Sequence, residues 1–348
     1  EFSKLTVMNF SRNESITAMP DVSKVKNLRE LRLDNCKNLT MVHESVGFLE
    51  HLTHLSTSGC SKLRNFLQRM FLPPLEFLDL NLCVELGHFP DIVNKMNKPL
   101  KIYMINTIIE ELPDSIGNLI GLVSIEMPNS WKLKYLPSCL FTLPYAVTFK
   151  FGGCSQLGES LRRFLLAIPS ATNGHPTLKT LHFGSCGLSD NDLHAILISF
   201  FELQELVVSD NNFVSLPVCI EESARLTKLD VSGCNMRRKI PICPNLRILN
   251  VCRCVKLEHI SELPCTIQKV DARYCFHLNR ETLDMLWDQV KNERRGIEIV
   301  MPQMQTGVPN WFDYSCKGGN PRFWARKKFP VVALALVFQG VTGMTRQS

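Results

Sequence analysis

No stretch of this 348-residue chain is apolar for long enough to cross a membrane as a helix. The longest apolar run, Phe329 to Phe338, is broken by Pro330 and reads as a buried strand. Charge of one sign is also scarce: 39 Lys and Arg stand against 33 Asp and Glu, a net of +6. Arg237-Arg238-Lys239, Arg294-Arg295 and Arg326-Lys327-Lys328 are basic clusters, but acidic residues are interspersed and no nucleic-acid-binding stripe forms. A Gly-x4-Gly-Lys-[Ser/Thr] phosphate loop, a carboxylate pair and a nucleophile constellation are all missing, so no catalytic or cofactor-binding residue is assigned. Cys252-x-Cys254, with Cys243 and Cys275 nearby, lacks the paired spacing of a structural zinc site, and no metal ligand is assigned either. His51 and His54 read as isolated surface residues without a partner cluster.

What the chain does have is a phrase, Leu-x-x-Leu-x-Leu-x-x-Cys-x-x-Leu. It occurs as Leu28, Leu31, Leu33, Cys36, Leu39 and again as Leu75, Leu78, Leu80, Cys83, Leu86. Its first position recurs at Leu5, Leu28, Leu52, Leu75, Pro99, Leu122, Ala146, Leu178, Leu203, Leu226, Leu246 and Ile267. Eight residues after these starts stand Asn13, Cys36, Cys60, Cys83, Thr107, Ser130, Cys154, Cys186, Asn211, Cys234, Cys254 and Cys275. Eight of the 14 cysteines therefore fill this one position, where random placement would put roughly half of one.

A period of twenty-odd residues signals a solenoid. The Leu-x-Leu core alternates with period two, so it reads as a strand with its leucines on one face. One such strand cannot bury that face alone; stacked copies form a parallel sheet and the rest of each repeat returns across the other side. The fold class is thus an α/β leucine-rich-repeat solenoid of about 12 coils. At the Asn/Cys position the chain turns inward, where a small polar side chain can meet backbone groups of neighbouring coils. Ladder cysteines spaced by whole coils are expected to be buried thiols, which favours a reducing compartment.

The repeats are uneven. Leu112-Pro113, Leu136-Pro137 and Leu216-Pro217 predict an extended or turn geometry on the return path. Ser155 to Thr177 is an insertion with helix-like Leu161 to Leu166, read as an enlarged convex loop. The solenoid is assigned to 1–278 and a linker helix, capped by Asn279, to 279–296. Alternating Ile297 to Val300 is read as the start of a separate β-rich module over 297–348. The chain opens on Glu-Phe-Ser-Lys inside a repeat and is expected to be an excerpt of a longer protein.

These features resemble the leucine-rich region of plant intracellular immune receptors of the TIR–nucleotide-binding–leucine-rich class. The resemblance lies in Leu31 to Leu39, in Thr107 to Leu119 and in Ile260-Ser261-Glu262-Leu263-Pro264. A second match lies in Val308-Pro309-Asn310-Trp311-Phe312-Asp313, Gly318-Gly319 and Phe323 to Pro330, which look like the β-sandwich that follows the repeats in that class. The resemblance implies a horseshoe solenoid followed by a partial, truncated β-sandwich. It implies two partners: the receptor's own nucleotide-binding domain at rest, and a pathogen effector or guarded host protein on activation. Its ADP/ATP site and NAD-cleaving TIR domain belong to domains without a counterpart in this sequence. Cytoplasm, with the nucleus as a second compartment, is the implied location; neither nucleic acid nor membrane is expected as a partner, and oligomers would form only through the missing domains.

Residues two, four, six and seven after each start are expected to point outward on the strand face. Phe77, Leu82, Tyr103 and Ile105 form a candidate apolar partner-binding patch there, and Arg253, Arg273 and Tyr274 a second. Two alternatives stand beside this reading. One is a secreted receptor ectodomain, for which Asn13-Glu14-Ser15 and Asn38-Leu39-Thr40 are sequons, although Asn13 is expected to be buried in the ladder. The other is the substrate-binding repeat domain of a ubiquitin-ligase adaptor.

Overall fold

Each Leu-x-Leu core becomes one short strand. The computed structural model describes residues 4–167, 177–237, 239–292 and 297–301. Thirteen strands, all parallel and adjacent in sequence order, form a single sheet. They run from Val7–Asn9, Glu30–Arg32, His54–Ser56, Phe77–Asp79, Leu100–Tyr103 and Leu122–Glu126 through Thr148–Lys150 and Thr180–His182. Glu205–Val207, Lys228–Asp230, Ile248–Asn250, Lys269–Asp271 and Glu298–Val300 complete it. Equivalent leucines pair across the sheet, Leu31 with Leu55 and Leu55 with Leu78. A one-residue register shift falls between Leu100 and Lys101, opposite the strand that opens beside Gly121. The backbone there lies so close to Asn97 and Lys98 that no Cβ would fit on Gly121.

The inward positions make one continuous core, in which Leu28, Leu31, Leu33, Cys36 and Leu39 are all fully buried. Burial of each such leucine contributes about 1.5–3 kcal/mol. In coils seven and eight phenylalanine replaces leucine: Phe149, Phe151 and Phe183 line up with ring centroids 6.2 and 5.8 Å apart. On the return path Pro113, Pro137 and Pro217 each take the extended geometry that the Leu-Pro pairs predict, and each opens a short 3-10 helix.

The ladder position works as a side-chain bridge between coils. Cys36, Cys60, Cys83, Cys154, Cys186, Cys234, Cys254 and Cys275 each point Sγ at a backbone carbonyl of the preceding coil, at 3.0–3.5 Å. Ser130 donates in the same way to Met104 at 3.1 Å, and Thr107 Oγ1 meets Ser130 Oγ at 3.0 Å. Asn13 departs from the reading: it is exposed, and its Oδ1 accepts from the Ser15 N–H instead of spanning two coils. No coil precedes it among the described residues.

The residue just before the ladder position has a positive φ in all twelve coils, from Arg12 at 65° to Tyr274 at 62°. Only Gly59, Gly153 and Gly233 are glycines there. This left-handed turn lets the N–H of one coil donate to the carbonyl of the next, as Leu82 does to Ile105 at 2.8 Å. Stacking of the same turn in neighbouring coils holds even Leu82 and Tyr274 in a conformation that costs an L-residue about 1–2 kcal/mol.

Among the described residues three α-helices lie on the return side: α1, Gly158–Ala167; α2, Asp190–Ser199; and α3, Arg280–Asn292. Helix α1 falls inside the expected insertion and is tied to α2 by the Arg162–Asp192 ion pair at 3.0 Å. Helix α2 is an element beyond the sequence reading. Its start is marked by Ser189, whose N–H donates to the Asp192 carboxylate at 2.8 Å, a short-range capping signal. Helix α3 begins where expected: Asn279 Oδ1 accepts from the Thr282 N–H at 2.9 Å. Instead of hanging as a linker, α3 serves as the return path of coil twelve. Leu286 is fully buried, and the Thr282 hydroxyl accepts from the Ile260 N–H of the previous coil at 3.3 Å. Glu298–Val300, read from sequence as the opening of a new module, is the thirteenth strand of the solenoid sheet and pairs with Lys269–Asp271. Period-two alternation identifies a strand but not the sheet it joins; a helical return path beforehand delivers it parallel to its neighbour. The Trp311-Phe312 and Phe323-Trp324 tail lies outside the described residues.

Candidate functional site

Of the seven candidate residues Phe77 and Tyr103 lie within strands, and Leu82, Ile105, Arg253, Arg273 and Tyr274 lie in the turns that follow the strands. In the first patch, Phe77 lies with its ring centroid 5.4 Å from that of Tyr103, the planes tilted by 42°. The row extends one coil further back than the sequence reading placed it. His54 stacks on Phe77 at 4.5 Å with only 4° between planes. His54 is thus neither isolated nor a free surface residue; it is half-buried, and burial together with Arg32 lowers its pKa from the ordinary 6.5. The missed signal is positional. His54 and Phe77 both stand two residues after a coil start and pair directly in the sheet. Leu82 is 47% exposed and Ile105 half-buried; they meet through the Leu82 N–H bond to the Ile105 carbonyl. The structure thus pairs Phe77 with Tyr103 and Leu82 with Ile105, and adds His54 to the first pair.

Carboxylates flank the row. Asp79 pairs in register with Tyr103, and Tyr103 with Glu126 on its other side. Burial and these two carboxylates raise the pKa of the Tyr103 hydroxyl. Lys150 holds Glu126 at 3.3 Å. Burial and the nearby Asp34 push the Asp79 carboxyl up from its ordinary value, against the Asn81 N–H that bonds it at 2.9 Å.

The second patch is differently made. Arg253 pairs with Asp210 at 3.0 Å, and Arg273 pairs with Asp271 of its own strand at 2.7 Å. Burial opposes ionisation of Asp271, but the Arg273 guanidinium prevails and keeps the carboxyl below its usual range. Both arginines are thus already engaged within the solenoid. Tyr274 is 53% exposed and meets Phe276, 61% exposed, edge to face at 6.1 Å. Phe276 was missed because it lies past the strand, one residue beyond the ladder position. Between the patches the face is polar: Glu205 accepts from Lys228 at 2.7 Å and meets His182 Nε2 at 2.9 Å.

No group of three or more His, Cys, Asp or Glu is placed to hold a metal ion among the described residues, and no helix among them is long and apolar enough to cross a membrane.

Relatives are found among plant disease resistance proteins. Protein SUPPRESSOR OF npr1-1, CONSTITUTIVE 1 of Arabidopsis thaliana is 32% identical over 289 residues, covering 81% of this chain and 17% of the relative. TMV resistance protein N of Nicotiana glutinosa is 27% identical, covering 70% of this chain and 25% of the relative. Disease resistance protein RPS4B of Arabidopsis thaliana is 25% identical over 83% of this chain and 25% of its own length. The chain thus spans a quarter or less of the length of these relatives. Among solved structures, the plant peptide hormone receptor RGFR1 in complex with RGF2 aligns with a TM-score of 0.49 and 16% identity, over 82% of this chain and 45% of that one. Residues 71–281 match the family described as Disease resistance protein RPS4B-like, leucine-rich repeats, and the chain belongs to that family.

Proposed function

We propose that this chain is the recognition and autoinhibition region of a plant intracellular immune receptor. Its outward strand face would bind a pathogen effector or a guarded host protein on activation and the receptor's own nucleotide-binding domain at rest. The observation that carries the reading is the row His54, Phe77 and Tyr103, side chains of the kind that anchor interfaces, left half-open on three adjacent strands. A standard interface needs only about 20–30 residues per side, so part of a sheet this long suffices. The thirteen described cysteines are all free thiols, which supports the reducing interior of a cell as the location.

The test is Tyr103→Glu and Arg273→Glu in the full-length receptor, scored for constitutive signalling and for the effector response. Loss of control or of response with either variant supports the reading; unchanged behaviour of both overturns these surfaces as partner sites. The alternative reading is a secreted ectodomain, for which Asn13-Glu14-Ser15 and Asn38-Leu39-Thr40 are sequons. A thiol count on denatured native-source protein separates them: paired cysteines would support secretion.

A further inference from the structure

We propose that the aromatic row on coils three to five is a seat for a basic side chain, an arginine guanidinium carried by the protein partner. This rests on the recognition reading above and adds the chemistry of what is recognised. Three rings stand on adjacent strands: His54 and Phe77 are stacked, and Tyr103 is tilted against Phe77. Each is half-buried, and because His54 and Phe77 cover one face of each other, the tilted Tyr103 ring at the end of the row is the one offered to a partner. A ring face attracts a cation, and a planar guanidinium, being weakly hydrated, can stack there as an ammonium cannot.

The carboxylates around the row have the complementary sign. Asp79 lies across the strand pair from Tyr103. Asp34 stands beyond Ser56, whose hydroxyl it accepts, and also accepts from Ser11 at 3.4 Å. Neither Asp34 nor Asp79 has a Lys or Arg within ion-pair distance among the described residues. Arg32 is turned to Glu30, and Lys101, exposed across the strand pair from Phe77, pairs with neither. Asp34 and Asp79, both half-buried and close enough for Asp34 to raise the Asp79 pKa, are therefore left without a counter-ion beside the aromatic row. A guanidinium would stack on the row and donate its forked N–H groups to Asp79, with Asp34 adding to the attraction. A phosphate backbone would meet Asp34, Asp79 and Glu126 and be repelled, so a protein segment fits where a nucleic acid does not.

The experiment measures binding of acetyl-Gly-Arg-Gly-amide and of its citrulline analogue to the 348-residue chain by calorimetry and ligand-observed NMR. Citrulline keeps the shape and removes the charge. The arginine peptide is expected to bind at least about tenfold more tightly, with the preference shrinking at high salt. Asp79→Asn, which keeps an acceptor for the Asn81 N–H, and Tyr103→Leu should each weaken it about fivefold or more while the melting temperature stays close to the parent's. Equal binding of the two peptides, no binding of either, preference for an acetyl-Gly-Glu-Gly-amide control, or indifference to both substitutions overturns the proposal. If peptide binding fails while Tyr103→Glu still disturbs the full receptor, the recognition reading stands and the arginine seat falls; the opposite pattern leaves the seat and removes the receptor role.

Discussion

Asn211 and Cys234 hold the same position on adjacent coils, yet they bind the coil before them very differently. Asn211 donates from Nδ2 to the carbonyls of Phe183 and Val208, each at 2.8 Å, and accepts at Oδ1 from the N–H groups of Cys186 at 3.2 Å and Leu188 at 2.9 Å. Cys234 offers one thiol to the carbonyl of Val208 at 3.5 Å. Removing the amide strands two buried N–H groups, whereas removing the thiol strands none. Asn211→Ala should therefore cost about 2–4 kcal/mol and Cys234→Ala about 1 kcal/mol. Urea unfolding of the two variants checks this, and equal costs would refute the division of labour.

The ladder thiols should be unreactive in the native chain and weaken it at alkaline pH. Burial pushes Cys83 up to about 11 and Cys154, Cys234 and Cys275 up to about 12. A thiol whose folded pKa lies above its unfolded value of 9.0 favours the folded state fully below pH 9, and that contribution is lost as pH climbs toward 11–12. A disulfide reagent at pH 8 should modify exposed Cys265 first and leave the ladder untouched, while denatured protein yields all 14 thiols. Melting temperature should fall between pH 9 and 10.5.

On the acid side the outward face sets the response. Burial holds His54 and His182 below the ordinary 6.5. For His182 the Glu205 carboxylate works the other way, but Lys150 and Lys228 share its surroundings and Lys228 already pairs with Glu205. Between their folded and unfolded pKa values the unfolded chain binds more protons, so stability is lost as pH falls from 6.5. Asp79, raised in the folded state, acts in the opposite sense nearer pH 4. Unfolding free energies measured from pH 8 to 5.5 should decline, and His182→Gln should flatten the slope. A flat profile in the parent would contradict it.

How much of this was readable beforehand follows from what each residue's signal depends on. The coil starts and ladder depend on spacing alone, and the sheet register follows them, pairing Leu31 with Leu55. Phe77 and Tyr103 were found because outward positions can be counted from a start. His54 obeys the same count but was set aside with His51, a residue one place before its coil start. The left-handed turn had a signal in Gly59, Gly153, Gly233, Asn35, Asn106, Asn129 and Asp210, which tolerate a positive φ, but Arg12, Leu82 and Tyr274 at the same place obscured it. Glu298–Val300 alternates as any half-buried strand does, and only pairing with Lys269–Asp271 assigns its sheet.

That last strand depends on α3, which makes Thr282 the residue to test. Its side chain is fully buried, and its hydroxyl meets His259 Nδ1 at 2.7 Å while accepting from the Ile260 N–H. Ser45 and Ser115 play the same part for the N–H groups of Val22 and Ile92 on earlier coils, at 2.9 and 3.0 Å. Helix α3 is thus bound to the solenoid by the device that binds ordinary return segments. Thr282→Val keeps the shape and removes the hydroxyl, leaving the Ile260 N–H without an acceptor, at a cost of about 1–3 kcal/mol. Hydrogen exchange should quicken at Ile260 and along α3, and at Glu298–Val300 with it, because the strand relies on the helix to deliver it. Fraying confined to α3, with Ile260 and the last strand still protected, would instead mark the helix as a linker independent of the sheet.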